Sequence, residues 1–209
     1  MVQVTALFFD VGGVLLTNGW DRDSRRAAAK KFDLDWDDFE DRHELLLNAF
    51  EVGELSLDEY LKRVVFYRER PFSRQEFIDF IYSQSRAMPE TLAILGRLAT
   101  TRRYLIAALS NESRDLNEYR IQAFNLRKYF DVFLSSCYLG VRKPDVAIYM
   151  RALSITQRAG KECVFIDDRA LNLECARDLG MHTIQFKDAR QLEKELRGFG
   201  VELGAGLSG

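Results

Sequence analysis

The isolation of one strand signal restricts the fold more than any other feature. Thr5-Ala-Leu-Phe-Phe9 is a continuous apolar run that ends at Asp10, Val11, Gly12 and Gly13, and no second strand signal occurs before Tyr104. A short unbroken apolar run suits a strand buried on both faces, as in a parallel sheet, and the paired glycines allow a sharp turn after it. Between about Asp21 and Ser85 the periodicity is helical instead. Phe39, His43, Leu46 and Phe50 recur at helical spacing, as do Leu57, Tyr60, Leu61, Val64 and Val65. Ser56-x-x-Glu59 and Ser73-x-x-Glu76 read as capping boxes, and Gly53 separates two of the helices. About four helices are expected in this segment.

After Pro89, helix and strand alternate. Helices are expected over 89–99, 114–124, 145–153, 171–179 and 189–197, and strands over 104–109, 132–134, 163–166 and 182–186. Such alternation predicts a Rossmann-like α/β fold, a parallel sheet with helices on both faces. The first strand must join this sheet although the helical segment parts it from the rest. The expected organisation is an α/β core of residues 1–16 plus 87–200, an all-helical cap of residues 17–86 inserted after strand one, and a Gly-rich flexible tail of residues 201–209.

In an open parallel sheet, sites form beyond the carboxyl ends of the strands. Strand one leads to Asp10, strand two to Ser110 and Asn111, the loop beyond strand three to Arg142-Lys143-Pro144, and strand four to Asp167 and Asp168. Three carboxylates, a hydroxyl and an ammonium would then converge. This is the set a phosphoryl-transfer site needs. A carboxylate reaches phosphorus only when charge is neutralised, and Mg²⁺ takes oxygen ligands such as Asp10 and Asp168, with Asp167 as a secondary group. Lys143 brings a compact positive charge to the phosphate, and Ser110 with the amides around Asn111 can bind a phosphoryl oxygen. A carboxylate nucleophile gives an aspartyl-phosphate that water cleaves. Two adjacent acids at a buried strand end repel unless a cation is present, so Asp167-Asp168 is the most informative single pair.

These four stations resemble the four motifs of the haloacid dehalogenase superfamily of phosphatases and dehalogenases. Phe8-Phe9-Asp10-Val11-Gly12-Gly13-Val14-Leu15 is similar to the first motif, Leu109-Ser110-Asn111 to the second, Arg142-Lys143-Pro144 to the third, and Phe165-Ile166-Asp167-Asp168 through Asn172 to the fourth. The inserted helices resemble a C1-type cap. Leu139 to Asp145 and Ile166 to Asn172 resemble the branch of sugar-phosphate phosphatases that includes α-glucose-1-phosphate phosphatase. The resemblance implies Mg²⁺ as cofactor, Asp10 as nucleophile, Lys143 as a second catalytic group, and a small phosphorylated metabolite as substrate. It departs at one point. The family's general acid stands two residues after the nucleophile, where this chain has Gly12. The Gly12 carbonyl can still ligate the metal but moves no proton. Either the substrate has a good leaving group, or another acid serves, for which His43 and Glu44 in the cap are candidates.

Two further readings stand beside this one. In 2-haloacid dehalogenation an aspartate attacks carbon without metal and the second acid is also absent, but the Asp167-Asp168 pair then has little purpose. A degenerate member would bind a phosphorylated ligand without turnover. Trp20 and Asn18 read as packing or hinge residues, Arg142 as a solvent-exposed neighbour of the lysine, and His182 as structural.

The 209 residues carry a net charge of −2 with 47% apolar residues, which suits one cored protein and gives no basic surface for nucleic acid. No run suits a membrane span, and MVQVTALFFD lacks the pattern of a signal peptide. Cys137, Cys163 and Cys175 show no metal or disulfide spacing. A cytoplasmic monomer or homodimer is expected.

Overall fold

The computed structural model describes residues 3–204. Five parallel strands form one sheet: β1 (Ala6–Phe9), β2 (Leu105–Ala108), β3 (Val132–Phe133), β4 (Cys163–Asp167) and β5 (His182–Gln185), in the order β3-β2-β1-β4-β5. The strand that comes first in the chain is therefore central, as its two-sided burial requires. Its residues alternate between two cores. Leu7 and Phe9 point into one with Ile106, Ala108, Val164 and Ile166. Helices α5 (Pro89–Thr101) and α10 (Ala189–Gly198) close it through Ile94, Leu95, Leu98, Leu192 and Leu196. Ala6 and Phe8 point into the other with Ala107, Leu109, Cys163 and Phe165, covered by α8 (Val146–Thr156) and α9 (Ala170–Asp178). The helix α6 (Arg114–Ala123) and a short helix α7 (Ser136–Leu139) complete this part. The sequence pattern did not reveal α7, because one turn has no periodicity to read.

The register positions the chemistry. Phe9 pairs with Ala108 on one side and Ile166 on the other. Asp10 then leaves the sheet level with Leu109 and Asp167, and its amide donates to the Ile166 carbonyl at 2.8 Å. Order reverses beside β1, so the crevice at its carboxyl end lies where a doubly wound sheet forms its site.

Residues 22–83 hold α1 (Arg22–Lys31), α2 (Trp36–Glu51), α3 (Leu57–Val64) and α4 (Arg74–Ser83), and no strand. Both expected capping boxes form: Ser56 and Ser73 accept from the amides of Glu59 and Glu76, whose carboxylates reach back. These helices share a third, aromatic core in which Phe77 touches Trp20, Phe32 and Phe72, with ring centroids 5.9, 4.8 and 6.0 Å away. The two connections to the sheet run side by side. Thr17 donates its amide to the Arg86 carbonyl and Met88 donates to Leu15, at 2.8 and 2.9 Å. No helix among the described residues is long and apolar enough to cross a membrane.

The expected loose tail is corrected in its first part. Val201 is only 2% exposed and completes the core beside α10, while Gly204 exchanges hydrogen bonds with Arg97. Burial of one valine and ties to Arg97 and Tyr104 outweigh the flexibility of a glycine-containing segment. Residues 205–209, the rest of that expected tail, lie outside the described residues.

Phe77 is the hub of the aromatic core, so Phe77→Ala is expected to lower stability by about 3–5 kcal/mol. Urea unfolding followed by tryptophan fluorescence reads this directly; a loss under about 1 kcal/mol would show that the helical segment does not rely on this packing.

Candidate active site

The structure brings the separate stations together around one ammonium. Lys143 Nζ lies 2.9 Å from Asp10 Oδ2 and 2.6 Å from Asp167 Oδ2, and its side chain is 1% exposed. Asp167 is saturated by its neighbours: Oδ1 accepts from the Arg169 amide, and both oxygens accept from Asn172 Nδ2. Asp10 Oδ1 accepts from the Val11 amide at 2.8 Å. Carboxylate oxygens of Asp10, Asp167 and Asp168 all fall within 4.8 Å of one another. Asp168 is set by Gly13, whose φ is +74° and where a Cβ would lie 2.5 Å from Asp168 Oδ2. Only glycine fits there, both for conformation and for space.

Charge in this cluster is unbalanced. Burial pushes the Asp10 carboxyl up to about 7; Lys143 pulls against that, and Asp167 adds to it. Asp168 is raised by burial and then by Asp167. Burial on its own would lower Lys143, yet Asp10 and Asp167 together hold it above the ordinary lysine range. Three close carboxylates with one ammonium form a site that favours a further cation. Asp10 and Asp168 have oxygens free for it, whereas Asp167 has its lone pairs largely taken, so the donor set fits a hard, oxygen-seeking cation.

Ser110 is buried at the end of β2 and its hydroxyl has no partner. It is the one hydroxyl of the expected set, and it is left unspent. Asn111 has a second task. Its Nδ2 donates to the Lys143 carbonyl and its Oδ1 accepts from the Lys143 amide, both at 2.8 Å. Its side-chain amide thus clamps the lysine loop.

The cavity above these groups measures about 100 Å³. Its floor is Asp10 and Lys143, and Trp20, His43, Leu47 and Phe50 form much of its wall. Trp20 thus both packs in the aromatic core and faces the cavity. Trp20 Nε1 donates to Tyr60 Oη at 3.0 Å, and Tyr60 Oη is hydrogen-bonded to His43 Nδ1 at 2.8 Å. The other ring nitrogen, Nε2, is buried without a partner. Burial, and then Arg25, push His43 down to about 3. His43 is therefore a neutral imidazole with no transferable acid proton at neutral pH. Glu44 is no substitute, because its side chain is 59% exposed, faces Arg25 and lies outside the cavity wall.

Three lining residues went unread in the sequence. Glu112 follows Ser110-Asn111 directly and pairs with the buried Arg120, which also donates to the Thr17 carbonyl. Glu51 closes α2 and lies 2.7 Å from Arg142, which is thereby half-buried against a carboxylate, not free in solvent. Adjacency to the serine was a usable signal for Glu112. Arg120 and Glu51 read simply as polar positions on helices.

The family described as hydrolase, haloacid dehalogenase-like hydrolase, matches residues 4–180. The chain belongs to this family. Flavin mononucleotide hydrolase 1 of Arabidopsis thaliana is 35% identical over 78 residues, which are 37% of this chain and 32% of that protein. The chain thus aligns with about a third or less of the length of the first curated relatives it matches. A haloacid dehalogenase family enzyme from Bacteroides thetaiotaomicron, solved with magnesium and inorganic phosphate, shares the fold with a TM-score of 0.73 at 23% identity, over 88% of this chain and 94% of that one. An L-2-haloacid dehalogenase structure shares it at a TM-score of 0.58 and 21% identity, over 86% and 83%.

Removing the ammonium leaves buried carboxylates without their counter-charge. Lys143→Met is expected to cost about 3–5 kcal/mol in metal-free urea unfolding, and an unchanged midpoint would contradict the pairing. For His43 the folded value lies below the unfolded 6.5, so its contribution to stability is full above about 6.5 and is lost as pH falls toward about 3. His43→Gln should flatten the stability–pH slope in that window by up to about 1.4 kcal/mol per pH unit; parallel curves for the two proteins would refute the buried neutral imidazole.

Proposed function

We propose that this haloacid dehalogenase-like hydrolase is a Mg²⁺-dependent phosphatase of a small phosphorylated metabolite, a sugar phosphate in the first instance, acting through an aspartyl-phosphate on Asp10. The observation that carries the reading is the Asp10–Lys143–Asp167 arrangement beside Asp168, with the buried, unpartnered Ser110 hydroxyl just past the carboxyl end of β2. Such a cluster has surplus negative charge of its own, and its donor set suits Mg²⁺ held by Asp10, Asp168 and the Gly12 carbonyl. When bound, that ion neutralises phosphoryl oxygens and so lets a carboxylate approach phosphorus. The plant relative's name, a flavin mononucleotide hydrolase, and the bacterial enzyme's complex with magnesium and phosphate support a phosphate ester as substrate.

In this reading Asp10 is aimed by Lys143 and the Val11 amide, and Lys143 favours its ionised form against the effect of burial. Lys143 adds a second positive charge beside the transferring group, and Asp167, Asn172 and Asn111 keep it in place. Ser110 donates its free hydroxyl to a phosphoryl oxygen, in a site where burial strengthens each such bond. The residues lining the outer wall, Trp20, Leu47 and Phe50, with the unpartnered Nε2 of His43, meet the uncharged part of the substrate. A free imidazole nitrogen there suits a hydroxyl of a small polyol or sugar. The helices of residues 22–83 act in this reading as a cap that excludes water.

The dehalogenase reading has Gly12 and the shared fold of an L-2-haloacid dehalogenase in its favour. It leaves Asp168 and the raised carboxyls without a purpose. A screen of phosphate esters with Mg²⁺ separates the two. Turnover is expected with Mg²⁺, to stop with EDTA, and to fall by at least about 10⁴-fold in Asp10→Asn. Halide release from 2-chloropropionate by EDTA-treated protein would instead establish the dehalogenase.

A further inference from the structure

A phosphatase without an acid two residues after its nucleophile must protonate the leaving oxygen from elsewhere, or depend on esters that need no protonation. The place where that acid would stand is bordered by another ion pair. A Cβ on Gly12 would lie 3.6 Å from Arg120 Nη1, and Arg120 Nη1 is the atom that pairs with Glu112 Oε2. The niche beside Gly12 is thus occupied by a guanidinium with a carboxyl attached to it. Both side chains are tightly held. Arg120 is buried on α6 and also donates to the Thr17 carbonyl, and the Glu112 amide is held by Ser136 Oγ at 2.9 Å. The Glu112 side chain is 13% exposed and faces the same cavity as Asp10 and Gly12.

The other acids on that cavity are placed for other tasks. Asp21 caps α1 by accepting from the Ser24 amide. Glu51 belongs to α2 and faces Arg142. Resting on the phosphatase reading above, we propose that Glu112 is the proton-transfer residue of the reaction and that Arg120 is the positioning residue that holds it in the niche beside Gly12. Arg120 takes Oε2, which leaves Oε1 to carry the proton. Burial raises the Glu112 carboxyl above its ordinary range, and Arg120 pulls against that. The charged group facing it from α6 is Arg120, and Glu51 with Arg142 faces it across the cavity.

The step balances. An Asp10 carboxylate oxygen forms a bond to phosphorus while the bond from phosphorus to the leaving oxygen breaks, and that oxygen takes the proton of Glu112. Water then attacks phosphorus in the aspartyl-phosphate and gives a proton to the Glu112 carboxylate. The bond from Asp10 to phosphorus breaks, and phosphate departs.

The experiment measures kcat/KM with Mg²⁺ for p-nitrophenyl, phenyl and alkyl phosphates, in the full chain and in Glu112→Gln. Glutamine still accepts from Arg120, so the pairing survives while the proton is lost. The parent chain should depend only weakly on leaving group. In Glu112→Gln the p-nitrophenyl ester should stay within a few-fold, while phenyl and alkyl esters fall by about 10²–10⁴-fold. The double variant Gly12→Asp/Glu112→Gln should recover part of that loss, since the neighbour nearest a new Cβ is the end of the Asn18 side chain, 2.9 Å away and able to move. An equal loss on every ester, or no loss, would overturn the role of Glu112 with the phosphatase reading intact. Should Glu112→Gln not fold, a steep leaving-group dependence in the parent chain alone overturns the role. Absence of Mg²⁺-dependent turnover of any ester by the parent chain would overturn the phosphatase reading, and this inference with it.

Discussion

A single buried ammonium organises the carboxyl end of the sheet. Lys143 touches two of the three carboxylates that the strand register forces together, and without it Asp10 and Asp167 would be like charges out of water at the centre of a folded sheet. The cost of such an arrangement is why so much else is devoted to it. Asn111 holds the lysine backbone by two bonds, Asn172 and the Arg169 amide fill the remaining lone pairs of Asp167, and Val11 orients Asp10. The compensation is nevertheless incomplete, and that incompleteness is useful. Asp10 and Asp168 remain raised by burial and mutual repulsion, a state that a bound cation relieves.

Much of this was legible in the sequence, because it follows from rules that act locally. The run ending at Asp10 reads as a buried strand whatever its partners are, and helix–strand alternation after Pro89 leaves few topologies other than a parallel sheet. Ser56 and Ser73 announce helix starts through residues three positions away. The strand ends then name Asp10, Ser110, Lys143, Asp167 and Asp168 with no knowledge of distances.

What escaped the sequence depends on contacts between distant residues. Whether Asn111 faces a ligand or the Lys143 backbone is decided by a loop thirty-two positions later. Arg142 reads as a surface residue until Glu51 of α2 is found against it. His43 reads as one more residue on an apolar face, and only the structure shows that Nδ1 is tied to Tyr60 while Nε2 is left without a partner. The pairing of Arg120 with Glu112 was hidden for the same reason: Arg120 lies far from Gly12 in sequence, and its significance comes from lying near it in space. Val201 shows the converse error, in which glycine-rich composition hid one valine that the core requires.

The aromatic core of residues 22–83 is distinct from the two cores that sandwich the sheet; it meets that part through Leu116 and Tyr119 of α6 and the Glu51–Arg142 pair, not through the strands. The reactive carboxylates are built on the sheet, whereas Leu47 and Phe50 come from a helix packed in the aromatic core. Substitutions on the cavity side of α2 can therefore change which molecules fit without loosening the strands that hold Asp10, and substitutions in the strands leave the shape of that wall alone. Selection can act on recognition and on reactivity as nearly independent traits, through mutations in different parts of the chain.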